Sequence, residues 1–172
     1  MSMTAFARLA TPIKPIMDNM YLESFFFFVP NRLVWDNWER MNGQQDNPGD
    51  PTDYLVPQTT TWNWALNTLG DYFGLPTFVS SLQVNALPFR AYNLIWNEWF
   101  RDQNLQNSLS VPKNDGPDNV STNGYLFPRR RGKRRDYFTS ALPWPQKGPA
   151  VQLPLGQNVP VITGDNQPAP IS

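Results

Sequence analysis

The chain has 172 residues, 14 basic and 14 acidic, with neither cysteine nor histidine. That length suits one domain around a single core, and the missing residue types exclude disulfides, thiolate nucleophiles, Ser-His arrangements and histidine-ligated metal. Eighteen prolines and ten glycines leave little room for long helices, and the formal charge of zero conceals a sharp division, because residues 129–135 alone carry six cations.

The N-terminal part is apolar. Ile13, Ile16, Met17, Met20, Tyr21 and Leu22 lead into Phe25, Phe26, Phe27, Phe28 and Val29, and Pro30 and Asn31 close the series. The first 35 residues read as sheet. Side chains alternate across a strand, so four successive phenylalanines require cover on both faces, as in a sandwich or barrel interior or against a partner. Leu33, Val34, Trp35 and Trp38 read as a short helical turn, and residues 41–57 as a loop. In that loop Asp46, Asp50 and Asp53 lack calcium-loop spacing, and the prolines and glycine among them mark turns.

Two amphipathic helices follow. In residues 59–74, Trp62, Ala65, Leu66, Leu69, Tyr72 and Phe73 recur at helical spacing, with Thr60 or Thr61 as the cap and Gly74 and Pro76 as the stop. In residues 87–106, Phe89, Tyr92, Ile95, Trp96, Trp99 and Phe100 form one stripe, and Pro88 suits the first turn. Such a stripe is first a core face and second a subunit-contact face. Seven tryptophans exceed the usual need of a small core and suit interfaces.

Residues 108–122 read as a polar loop. Beyond it lies RRRGKRR, with Arg129, Arg130, Arg131, Lys133, Arg134 and Arg135. Residues 1–128 hold 7 basic and 12 acidic groups and residues 136–172 hold 1 and 2, so the regional charges are −5, +6 and −1. A cluster of this kind attracts polyanions and, unpartnered, repels itself into an extended loop. Tyr125, Phe127, Tyr137 and Phe138 flank it as candidate base-stacking platforms. The same arginines would also serve as ion-pair partners for acidic groups of this chain or of a neighbouring subunit. The segment after Gly148 reads as strands joined by turns.

No Gly-rich phosphate cradle, GxSxG or paired-carboxylate pattern is present, so the residues indicate no catalytic group, no metal site and no cofactor. The longest apolar run, residues 25–29, is far short of the ~18 residues a spanning helix needs, and no membrane contact is expected.

The strings TAFARLATPI, PIMDNMY, FFFFVPNRLVWDNW, DYFGLPT, VNALPFRAYNLIWNEWFRDQNLQ and RRGKRRDYFTSALPWPQKGPAVQLPLG resemble the major capsid protein of microviruses, most closely the gokushovirus branch, in order over nearly the whole chain. That resemblance implies a mainly β fold with inserted helices, a partial antiparallel jelly roll of the viral capsid type with long loops. Members of the family begin before TAFARLATPI and continue beyond QLPLG, so residues 1–172 are expected to be a single incomplete capsid domain from the N-terminal portion. The implied function is a structural subunit of an icosahedral shell enclosing single-stranded DNA, located in the virion and, during assembly, in the host cytoplasm. Implied partners are other copies of itself, the single-stranded DNA genome and other virion or scaffolding proteins. A single-stranded nucleic-acid-binding module acting through residues 129–135 is the alternative, and a carboxylate-dependent carbohydrate enzyme is a distant third.

Overall fold

The computed structural model describes residues 19–51 and 54–134, with residues 4, 6, 8, 11, 13–15, 17 and 137 besides. Its described elements are a 3₁₀ turn at Asn31–Leu33, the short helices α1 (Trp38–Met41) and α2 (Leu69–Tyr72), and α3 (Leu87–Ile95), which runs on into a π turn at Trp96–Phe100. Pro88 sits in the first turn of α3, where a missing N–H costs nothing, and Asn85 Oδ1 accepts from the Leu87 N–H at 2.8 Å. The π turn closes with the Arg101 N–H donating to the Trp96 carbonyl at 2.8 Å, and the chain then extends at Arg101.

Helix α3 organises the rest because nearly every side of it is covered. One side sends Phe89 into a cluster with Trp64, Leu69, Val120 and Tyr125, where the Trp64 and Phe89 rings stack at 5.2 Å. Another places Leu87 with Val34 and Trp35, flanked by Ala91, Leu94 and Tyr54. Between the two clusters lies Arg90, fully buried. Its guanidinium donates twice to Asp118 (2.7 and 2.6 Å) and to the carbonyls of Val34 and Asn114, both at 2.9 Å. A buried charge is tolerated only when paired and hydrogen-bonded, and this fork–carboxylate pair meets both conditions while tying the two cores together. Farther along, Asn93 Nδ2 donates to the Ser110 and Asn123 carbonyls and Asn97 exchanges bonds with the Leu109 backbone, so residues 109–123 are laced to the helix without a strand.

The structure corrects the expectation of a mainly β, jelly-roll fold. Among the described residues there is no sheet, only isolated bridges: Gln58 with Asn85 and Trp62 with Leu82, both antiparallel, and Thr59 with Asp118, parallel. A ladder needs several consecutive pairs in one register, and here the bridges stay single, with Ser81 at φ +60° immediately before the Leu82 bridge. Residues 25–29 are extended but form no ladder with any described residue, and Phe26 and Phe28 are 67% and 90% exposed, so among the described residues the cover expected on both faces is not there.

The helix expected over residues 59–74 is also shorter. Only Leu69–Tyr72 is helical, and its cap is Thr68 rather than Thr60 or Thr61, with the Thr68 hydroxyl accepting from the Asp71 N–H at 3.4 Å. Trp62 lies in a bridge instead. Gly74 does end the helix at φ +79°, its N–H reaching Asp71 O while the Leu75 N–H reaches Gly70 O, the paired bonds of a left-handed stop. The helical turn expected over Leu33, Val34, Trp35 and Trp38 is split into Asn31–Leu33 and Trp38–Met41, so Met41 belongs to α1 rather than to the loop, and the described residues of 42–57 and those of 108–122 contain no helix. The strands expected after Gly148 lie outside the described residues.

Candidate nucleic-acid interface

The basic segment is held by its backbone. Along α3 and its π turn, Tyr92, Trp96 and Phe100 recur every fourth residue, a spacing that aligns them on one side of a helix. Tyr92 Oη accepts from the Arg129 N–H (2.8 Å), Trp96 Nε1–H donates to the Arg130 carbonyl (3.1 Å), and the Phe100 carbonyl accepts from the Gly132 N–H (2.7 Å). Gly132 makes the last of these contacts possible: a Cβ there would stand 3.0 Å from the Asp102 backbone nitrogen and 3.2 Å from the Phe100 oxygen. Six neighbouring cations would otherwise repel the segment into mobility. Here the main chain is fixed and the charged heads are left outside.

The described side chains of Arg129, Arg130, Arg131, Lys133 and Arg134 are all exposed. Glu23, from the extended segment before the phenylalanines, pairs with Arg131 at 2.7 Å and also with Arg134. No carboxylate among the described residues pairs with Arg129, Arg130 or Lys133. Five described cations stand beside Glu23 and Asp102, which leaves a local excess of positive charge. Arg131 also lies over the Phe25 and Phe100 rings, 5.4 and 5.7 Å from their centroids.

These contacts enclose a groove of about 430 Å³ lined by Phe25, Phe27, Tyr92, Ile95, Trp96, Phe100, Glu23, Arg129 and Arg131. Phe25 and Phe27 stand on one side of their extended segment and meet Phe100 edge-on at 5.3 and 5.8 Å, and Phe27 also meets Trp99 at 5.7 Å. The period-two alternation of the sequence therefore operates without a sheet, with Phe25 and Phe27 facing the helix and Phe26 and Phe28 facing out.

The aromatic stripe divides along its length. Phe89 is in the core, Trp96 is 6% exposed beneath the basic segment, Tyr92 and Phe100 are half-buried, and Trp99 is 72% exposed. Of the suggested stacking platforms, Tyr125 is unsuited: it is fully buried, with its hydroxyl donating to Asp118 at 2.7 Å. Phe127 and Tyr137 are exposed, while Arg135 and Phe138 lie outside the described residues. Glu23, Phe25 and Phe27 were not singled out from sequence as partners of the basic segment, and nothing local marks them, since Glu23 and Arg131 are 108 residues apart. Asp50 belongs to a turn, where the Asn47 N–H, opposed by desolvation and aided by the Asp46 N–H, lowers its pKa. Among the described residues no cluster of acidic groups could hold a metal ion, and no helix is long and apolar enough to cross a membrane.

A backbone-fixed, cation-rich surface thus stands beside exposed rings. Residues 1–172 match the model of the capsid protein (F protein) family, and the chain belongs to that family. It is similar to capsid protein VP1 of several phages: it is 56% identical over 163 residues to that of Bdellovibrio phage phiMH2K (94% of this chain, 30% of that protein) and 47% identical over 173 residues to that of Chlamydia phage 1 (89% and 29%). A third, from Spiroplasma virus 4, is 35% identical over 177 residues (95% and 32%). The resemblance to microvirus capsid proteins seen in the sequence strings is thereby borne out, and with it a structural rather than enzymatic class. The chain spans about 30% of the length of these relatives.

Proposed function

We propose that the chain contributes to a structural subunit of an icosahedral shell around single-stranded DNA, with residues 129–134 facing the genome and neutralising phosphate without reading sequence. The observation that carries this reading is the division of labour in the basic segment, whose backbone is bound to Tyr92, Trp96 and Phe100 while Arg129, Arg130 and Lys133 have no carboxylate partner among the described residues. Arginine suits the task because its planar fork grips phosphate oxygens in pairs. Self-association follows from the same reading: closed symmetry would cover exposed apolar side chains such as Phe28 and Trp99 between copies. Other virion proteins are further partners on this view, with the virion as the site of action.

Counterion release gives the test, because affinity for single strands should fall with salt at a log–log slope of about −0.7 per neutralised phosphate. Replacing Arg129, Arg130 and Lys133 with glutamine is expected to flatten that slope while leaving the thermal midpoint of the chain unchanged. An unaltered slope, with self-association lost instead, would assign the cluster to ion pairs between subunits.

A further inference from the structure

We propose that the groove between the extended Phe25 segment and the π turn of α3 holds one unpaired base of single-stranded DNA, stacked among Phe25, Phe27 and Phe100, while Arg129 and Arg131 at its rim hold the adjoining phosphates. The proposal deepens the phosphate-binding reading above and rests on it. A cavity of about 430 Å³ falls within the size range of small-ligand sites. Its walls offer the rings of Phe25, Phe27 and Phe100, with the Arg131 guanidinium lying over two of them, and its mouth offers Arg129. A planar apolar group joined to an anion matches both halves, and a nucleotide is such a group.

The walls also determine what the groove can distinguish. Glu23 is its one acidic group, and both carboxylate oxygens are engaged, Oε2 by Arg131 and Oε1 by Arg134. With Glu23 held by the two arginines, the groove presents mainly aromatic rings, and stacking on a ring accepts any base by its π-face. An apolar side chain of a protein partner would fill the rings but leave Arg129, which has no carboxylate partner among the described residues, uncompensated at the mouth, which favours the nucleotide.

The π turn belongs to this design. Widening the helix at Trp96–Phe100 sets the Phe100 carbonyl against Gly132 and its ring against Phe25 and Phe27. One element thereby positions both the ring wall and the basic rim, and π turns of this kind recur at functional sites.

The test compares oligo-dT with a strand of the same length and charge built from abasic residues, each titrated against the full chain over a range of salt. Base–aromatic stacking predicts roughly 5- to 100-fold tighter binding of the intact strand at equal salt slope. The Phe25→Ala, Phe27→Ala double variant should abolish that difference and leave the salt slope of the abasic strand unchanged, and an intact strand carrying 2-aminopurine should lose fluorescence on binding the unaltered chain. Equal affinities with steep salt slopes in both strands would overturn the groove and leave the phosphate reading standing. Absence of salt-dependent binding to either strand would overturn both. Loss of self-association in the double variant, with the preference for intact DNA preserved, would assign the groove to a second copy and overturn the proposal. The comparison of strands on the unaltered chain does not depend on any variant folding.

Discussion

At Tyr125 one hydroxyl links the core to the pH range over which the chain is stable. Burial first, and then the Asp118 carboxylate that accepts its proton at 2.7 Å, push the phenol far above the usual tyrosine value. The folded state therefore holds this phenol neutral where the unfolded chain would ionise it. A raised folded pKa stabilises fully below the unfolded value, about 10, and that stabilisation is lost as pH rises beyond it, at about 1.4 kcal/mol per pH unit. We expect Tyr125→Phe to cost about 1–3 kcal/mol at neutral pH, through the lost bond to a charged acceptor, and to flatten the fall in stability above pH 10. Denaturant midpoints measured from pH 7 to 11 check this, and parallel curves for the two proteins would refute it. Arg90 completes the same network. Asp115 forms a second one: burial alone would raise its pKa, but Trp35 and Asn37 donate to its Oδ1 at 2.7 and 2.8 Å and hold it below the usual carboxylate range.

At the level of elements, helix α3 separates two roles that the sequence presents as one stripe. Trp96 is buried and its indole N–H is bonded to the Arg130 carbonyl, whereas Trp99 touches Phe27 at the surface. Trp96→Ala should destabilise the isolated chain by about 3–5 kcal/mol, and Trp99→Ala by less than about 1 kcal/mol. Urea unfolding of the two variants decides this, and equal losses would contradict the division. Helix α3 was legible because Pro88 and a 3.6-residue repeat agree with its packing. The boundaries of α2 were not, because its start depends on Thr68 and on a tertiary contact at Gly70, where a Cβ would stand 2.3 Å from the Trp64 ring. The strand over residues 25–29 was misjudged for a different reason. Alternation belongs to any extended segment, and whether a ladder forms depends on a neighbour the local sequence does not specify. The basic half of the candidate site was legible from charge alone, while its aromatic wall depends on long-range packing of Phe25 and Phe27 against Phe100.

At the scale of the molecule, the described residues bury two modest apolar clusters and leave a long apolar surface open. Tyr21, Leu22, Phe26, Phe28, Leu55 and Trp99 are all well exposed, and Phe26 and Phe28 stand on the side of their segment away from the groove. Single exposed apolar residues are ordinary, but neighbouring phenylalanines on an extended segment make a patch of the kind that monomers seldom show. Membership of a capsid protein family gives that patch a context, since subunits of such proteins bury apolar area against one another. The patch contributes little to the fold of the isolated chain. The double variant Phe26→Ser, Phe28→Ser should therefore keep its unfolding free energy within about 0.5 kcal/mol for each change, the range of surface substitutions. Binding of the dye ANS in the native state and concentration-dependent association in sedimentation velocity should both decrease. A large loss of stability would show that these rings are packed in solution. Unchanged dye binding and association would place the adhesive surface elsewhere, with Leu55 and Trp99 the next side chains to replace.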